Sequence, residues 1–192
     1  MILVLAAGAF GTLAIVGECR SGLIRTTFTA VPDRRAVLAA KALVVAAVAA
    51  VLGAVVAGTS FWLTQAILSG RDAGVSIGHP GAWRVVIASA LLAPVAALAG
   101  LALGTLLRHA GSGVVATVVL LILLPLVLND DRRWSAAAGH RLPCKAWLRL
   151  VETGGAAQSP YPATTGGSWL VLALWPLGAA AVAVFAGDRR DV

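Results

Sequence analysis

The residues able to do chemistry are few in this chain, and their spacing matches no catalytic site. His79, His109 and His140 stand apart, with no Cys, Asp or Glu partner at the spacing of metal ligands. The phosphate-binding pattern G-x-x-x-x-G-K-[ST] is absent, as are H-E-x-x-H and G-x-S-x-G. We therefore expect a protein that is not an enzyme and that binds no metal or cofactor of its own.

A second group of polar side chains lies inside a long uncharged run. Thr59, Ser60, Thr64 and Gln65 occur near one end of this run, with Ser60 and Thr64 one helical turn apart. In a membrane helix such groups either form hydrogen bonds between helices or line a translocation path, and both interpretations stay open. No apolar run contains Asp, Glu, Lys or Arg, so we expect no proton relay or ion path.

The composition predicts that a lipid bilayer surrounds the elements that carry these groups. Hydrophobic residues make up 59% of the 192 residues, and charged residues make up 12%, against ~25% in a typical soluble domain. Such a chain has too few polar side chains to cover a soluble surface, and it is too apolar to be disordered. We expect an all-α integral membrane protein, a polytopic helical bundle.

Uncharged runs of about 20 residues are long enough to cross ~30 Å of hydrocarbon as helices. The five predicted spans cover about residues 1–17, 42–68, 85–107, 114–128 and 169–186. They form one transmembrane domain, 1–192, with polar loops at 18–41 and 129–168.

The first run has no basic segment before it and no cleavage site. We expect a span whose beginning is missing; a short native helix is the alternative.

The basic residues lie between the apolar runs, as they do in membrane proteins, so the net charge of +7 does not indicate a nucleic-acid partner. The loop at 18–41 contains the largest excess of them, and the positive-inside rule places it in the cytoplasm. Alternation of the spans then places 129–168 outside. Cys19 and Cys144 fall on opposite sides, so we do not expect them to form a disulfide.

The 129–168 loop contains a pattern typical of a short amphipathic helix. Pro143 is suited to a helix start, and Gly154 and Gly155 to its end. Three basic residues recur every fourth position opposite an apolar face, namely Arg141, Lys145 and Arg149 against Trp147, Leu150 and Val151. This helix could lie on the outer leaflet among headgroups; a loop with solvated charges is the alternative.

The 18–41 loop has a distinctive order of residues. It reads Glu18-Cys19-Arg20-Ser21-Gly22, then Ile24-Arg25-Thr26-Thr27, then Val31-Pro32, Arg35 and Ala39-Ala40-Lys41. This order resembles the permease subunits of bacterial ABC-2 type ABC transporters, although Cys19 replaces the usual aromatic residue. Gly100 to Arg108 and the Trp169-led final helix are also similar to that family, whereas 129–165 departs from it. The family has six spans, and this chain resembles it from within the second.

The resemblance implies the transmembrane subunit of an exporter in the bacterial plasma membrane. Two such subunits, identical or homologous, would provide the translocation path and dock on separate ATPase subunits that bind the ATP. The implied coupling residues lie in the first loop: Glu18, Arg20, Gly22, Arg25, Thr26, Thr27, Pro32, Arg34, Arg35 and Lys41. Implied partners are the ATPase subunit, the second permease and membrane lipid, with no nucleic acid.

Two alternatives to this interpretation remain. The basic loop could set the topology without docking to any partner. The chain could also be a non-transporting scaffold or accessory subunit of a membrane complex. A membrane enzyme would need catalytic polar groups inside a span, and the sequence offers none.

Overall fold

The structure is a computed structural model that describes residues 1–21, 34–70, 78, 81–128, 132–152 and 160–188. These residues contain helices and no strand, which confirms the all-α prediction for this part of the chain. Four helices are long and apolar enough to cross a membrane, as expected of a helical membrane protein. The apolar stretch Ile2–Gly17 is shorter, so the fifth span stays a prediction.

The described residues form seven helices, which are numbered in chain order. They are α1 (Ile2–Ser21), α2 (Arg34–Ser69), α3 (Ala82–Leu107), α4 (Ala110–Val127), α5 (Arg133–Gly139), α6 (Pro143–Val151) and α7 (Thr165–Asp188). We call the end of the molecule where α2 stops the Ser69 end, and the opposite end, where α3 stops, the Leu107 end. The predicted 18–41 loop is helical at both its edges, because α1 and α2 continue beyond their apolar runs.

Helix α3 lies at the centre of the structure. Of its apolar stretch, 67% is buried inside the protein, against 28% or less for the other three candidate spans. It packs against α1, α2, α4, α6 and α7. Because large apolar side chains on the outer faces of α2, α4 and α7 remain exposed, these faces are suited to contact with lipid tails.

The contact of α1 with α3 is close because glycines stand where the two backbones meet. A Cβ atom on Gly11 would overlap the carbonyl group of Ala97, and one on Gly100 would overlap the carbonyl group of Gly8. Thr12 is fully buried between them, and its hydroxyl lies 3.1 Å from the carbonyl oxygen of Gly8 and 3.0 Å from that of Gly100. The GxxxG at Gly100 and Gly104 therefore serves a helix contact within this chain.

Two local features shape α4. It follows α3 after a two-residue turn, where Arg108 adopts a left-handed conformation (φ 55°) and its N–H donates to the Gly104 carbonyl. Farther along, residues Val119–Leu123 form a π-helical segment. Pro125 lacks an N–H, and its ring crowds the carbonyl of Leu121, four residues earlier, which accounts for a distortion at this position.

Helices α5 and α6 occupy the predicted outer loop. Helix α6 begins at Pro143, as expected, but its apolar face packs against α3 and α7. Cys144 and Leu150 are at most 1% exposed. The apolar face of α6 is therefore covered by α3 and α7, a surface that the sequence pattern cannot identify, while the position of this helix among lipid headgroups stays a prediction.

We predict that Gly100→Ala destabilises the protein. The added methyl group would meet the backbone of α1, which cannot move aside as a flexible side chain could. Overpacking of this kind typically costs ~1–3 kcal/mol, or about 3 °C or more in the apparent melting temperature. The measurement is thermal unfolding of the purified protein in detergent. Gly178→Ala is the control, since no atom lies within 4 Å of its added Cβ. Equal melting temperatures for the two variants would contradict the described contact.

Candidate functional site

A partly enclosed cavity of about 750 Å³ lies at the Ser69 end. Its walls come from the second half of α2, the first turns of α3, the end of α6 and the beginning of α1. Most of its lining side chains are apolar: Leu3, Val56, Phe61, Val85, Val86 and Val151. The volume falls in the range of small-molecule sites, ~300–1,000 Å³.

Three of the four polar residues that the sequence singled out on α2 line this cavity. They are Ser60, Thr64 and Gln65. Thr59 is not among the lining residues, and its hydroxyl donates to carbonyl oxygens of its own helix, at 2.7 Å to Val55 and 3.2 Å to Val56. The structure thus brings together a hydroxyl pair and an amide from one helix, while Thr59 interacts with its own backbone.

The opposite wall contributes two polar groups that sequence reasoning missed. The indole N–H of Trp147 donates to the hydroxyl of Ser89 at 3.1 Å, and both residues line the cavity. Ser89 is an isolated serine in an apolar helix, and Trp147 belongs to the apolar face of α6. No sequence signal pairs them, because their contact depends on how α6 packs on α3.

The groups that line this cavity are suited to binding a solute. Its described lining holds hydroxyl, amide and indole groups but no Asp, Glu, His, Lys or Arg. General acid–base or nucleophilic catalysis would require such a group or an activated hydroxyl beside one. The mixture of apolar walls and a few hydrogen-bonding groups is suited to a solute with both apolar and polar parts.

A charged network ties α6 in place beside the cavity. Arg84 on α3 donates from Nη2 to the carbonyl oxygen of Glu152 at 3.1 Å. Arg149 pairs with the Glu152 carboxylate at 3.3 Å and donates from Nε to the carbonyl oxygen of Ala163 at 2.8 Å. Arg84 thus meets the backbone of Glu152 and Arg149 meets its carboxylate, so the three side chains together leave this edge of the site with one net positive charge.

The predicted coupling residues that the structure describes lie at the Leu107 end, far from the cavity. Glu18 and Arg20 belong to the last turns of α1, and Arg34 begins α2. The Arg35 guanidinium lies 5.8 Å from the ring centroid of Phe185, a cation–π contact that joins α2 to α7. Lys41 is half-buried on α2. The remaining predicted residues fall outside the described part of the chain: Gly22, Arg25, Thr26, Thr27 and Pro32.

Comparisons of the chain with protein-family models, with curated proteins and with solved structures find no match. The site is therefore interpreted from its residues and geometry.

We predict that Cys144 is unreactive in the folded protein. Burial raises the pKa of its thiol to about 11, so at pH 8 only about one thiol in a thousand is ionised. In a Cys19→Ser protein, which leaves Cys144 as the sole cysteine, maleimide labelling at pH 8 should be at least tenfold slower than after unfolding in sodium dodecyl sulfate. Because burial disfavours the thiolate, the thiol's contribution to stability is present below pH 9 and is lost as the pH approaches 11. Equally rapid labelling of folded and unfolded protein would show that Cys144 is accessible.

Proposed function

We propose that this chain is the transmembrane subunit of an ABC-2 type exporter in a bacterial plasma membrane. In this proposal it works with a second copy or a homologue and docks to a separate ATPase subunit. The observation that carries the proposal is the cavity at the Ser69 end, where Ser60, Thr64 and Gln65 line otherwise apolar walls. The residue order of the 18–41 loop supports the choice of transporter family.

The cavity is suited to a translocation path because its interactions with a solute are weak and spread out. Hydroxyl and amide groups can replace part of a solute's hydration, while no charged lining residue of the described cavity would hold an ion in place. A path must release its cargo, so a site of moderate polarity is more suitable than a tightly binding one. The net positive edge formed by Arg84 and Arg149 favours solutes that carry negative charge.

Helix α2 provides the mechanical link between the two ends. It is continuous over 36 residues, about 54 Å at ~1.5 Å per residue, from Arg34 near the proposed docking loop to Ser69 beyond the cavity. A displacement at its start by an ATPase subunit would therefore move the wall that contains Ser60 and Thr64. The chain lacks a phosphate-binding loop, so ATP hydrolysis belongs to the partner in this proposal.

We predict that water reaches the cavity-lining face of α2. In a Cys19→Ser background, Thr64→Cys should react with a charged methanethiosulfonate reagent at least tenfold faster than Leu63→Cys. The thiolate that reacts forms in water and not in hydrocarbon, and Leu63 is 57% exposed on the outer face of the same helix turn. The parent Cys19→Ser protein sets the background rate. Equal reaction rates at positions 63 and 64 would contradict the proposal that the cavity is a water-accessible path for solutes.

We also predict that charge reversal at the proposed docking loop weakens ATPase association. The double substitution Glu18→Arg with Arg20→Glu keeps the net charge and should reduce association tenfold or more, about 1.4 kcal/mol, because interfacial charges left unpaired cost ~2–5 kcal/mol. The measurement is recovery of a P-loop ATPase subunit with the tagged protein from its native membrane, by quantitative mass spectrometry, together with ATP hydrolysis by the purified complex.

The matched control is a charge swap in the 129–168 loop, Asp131→Arg with Arg132→Asp, which should leave recovery unchanged. Equal recovery with both double variants would show that the loop sets topology only. Absence of a P-loop ATPase from all preparations would favour the scaffold or accessory-subunit interpretation over the exporter.

A further inference from the structure

Three tryptophans toward the Ser69 end point away from the protein. Each of them is more than half exposed: Trp62 on α2, Trp83 on α3 and Trp134 on α5. None of the three lines the cavity described above. We call them the exposed indoles, and the candidate site does not explain them.

Trp62 and Trp83 lie at nearly the same depth in the molecule. Helices α2 and α3 run in opposite directions, and a Cβ atom on Gly53 would overlap the carbonyl group of Ala90, so these two residues mark one level. From that level Trp62 lies about 13.5 Å along α2 and Trp83 about 10.5 Å along α3, both toward the Ser69 end, at ~1.5 Å per residue. The two indoles therefore belong to one layer of the structure.

Trp134 is tied to the same end of the molecule through its neighbour. The Arg133 guanidinium lies 5.8 Å from the ring centroid of Tyr161, which precedes Ala163 by two residues. The carbonyl oxygen of Ala163 accepts from Arg149, a member of the network that joins α6 to the first turn of α3. Arg133 is exposed, so it also brings a positive charge to this surface.

Hydrogen bonds distinguish the exposed indoles from two tryptophans that pack against the protein. The indole N–H of Trp147 donates to the hydroxyl of Ser89, and that of Trp175 donates to the carbonyl oxygen of Arg141 at 2.7 Å. No described residue accepts a hydrogen bond from an exposed indole. Tryptophan is enriched at membrane interfaces because its ring can lie in hydrocarbon while its N–H meets polar groups. Lipid ester oxygens are acceptors of this kind.

We propose that the exposed indoles anchor the Ser69 end in the interface of one bilayer leaflet, beside the ester groups of phospholipids. The Leu107 end has no such anchor, because no tryptophan occurs before residue 62, between residues 84 and 133 or after residue 175. The anchor fixes the depth of the cavity: Ser60 lies two residues from Trp62 and is therefore near the interface, whereas Val56 lies about 9 Å deeper. The anchor does not depend on the transport function.

The test is fluorescence quenching of the full chain in phosphatidylcholine vesicles. Bromine atoms on the acyl chains quench the indoles that they touch, and they are placed either close to the ester group or close to the chain end. We expect shallow bromine to quench about twofold more than deep bromine, because interfacial indoles meet it first. Replacing all three exposed indoles, with Trp62→Phe, Trp83→Phe and Trp134→Phe, should remove most of this excess.

The matched control is Trp175→Phe, which removes an indole with an acceptor inside the protein and should leave the excess of shallow quenching in place. Phenylalanine keeps an aromatic ring at each position, and thermal unfolding verifies that both variants are folded. Equal or stronger quenching by deep bromine would overturn the proposal. So would quenching by acrylamide in water without quenching by bromine, or an unchanged excess in the triple variant.

Discussion

Helices in a bilayer gain little from burying apolar side chains against one another, because lipid tails are as apolar as leucine. Their association therefore depends on close packing and on hydrogen bonds, and the contact of α1 with α3 supplies both. Gly8, Gly11 and Gly100 let the two backbones approach, and the buried Thr12 hydroxyl lies within hydrogen-bonding distance of a carbonyl oxygen on each helix. Helix α3 also packs against α2, α4, α6 and α7. The contact with α1 therefore fixes α1 to the helix around which the others pack.

The Ser69 end follows a different constraint, which is that polar groups inside a membrane protein need internal partners. Helix α6 satisfies this constraint with hydrogen bonds from its long side chains. Trp147 bonds to a serine of α3, and Arg149 bonds to a carbonyl before α7. Arg84 of α3 in turn donates to the carbonyl oxygen of Glu152, just after α6. These bonds hold one wall of the cavity, so that site depends on the position of a nine-residue helix.

The helices could be predicted from uncharged runs because hydrophobicity alone determines which segments avoid water, and Pro143 marked the start of α6 correctly. What lies beside each helix could not be predicted. Gly100 and Gly178 look alike in the sequence, yet one meets a backbone carbonyl and the other meets open space. Likewise, Thr59 and Ser60 are neighbours, but only Ser60 lines the cavity. Such differences depend on helix rotation and partner choice, which periodicity does not encode in helices that are apolar on every side. The family assignment of the 18–41 loop stays a prediction.

The hydrogen bonds of the α5–α6 segment also have a consequence for biogenesis. Their partners lie on both sides of it in the chain: Ser89 is made before the segment, whereas Trp175 is made after it. During synthesis, α6 can meet α3 as soon as it leaves the ribosome, but the carbonyl of Arg141 has no indole partner until α7 has been inserted. The contacts of this segment with α7 can therefore be completed only when the last helix has been inserted. Insertion of α7 would then complete the assembly of the protein, and a chain interrupted before Trp175 would leave the Arg141 carbonyl without its indole donor.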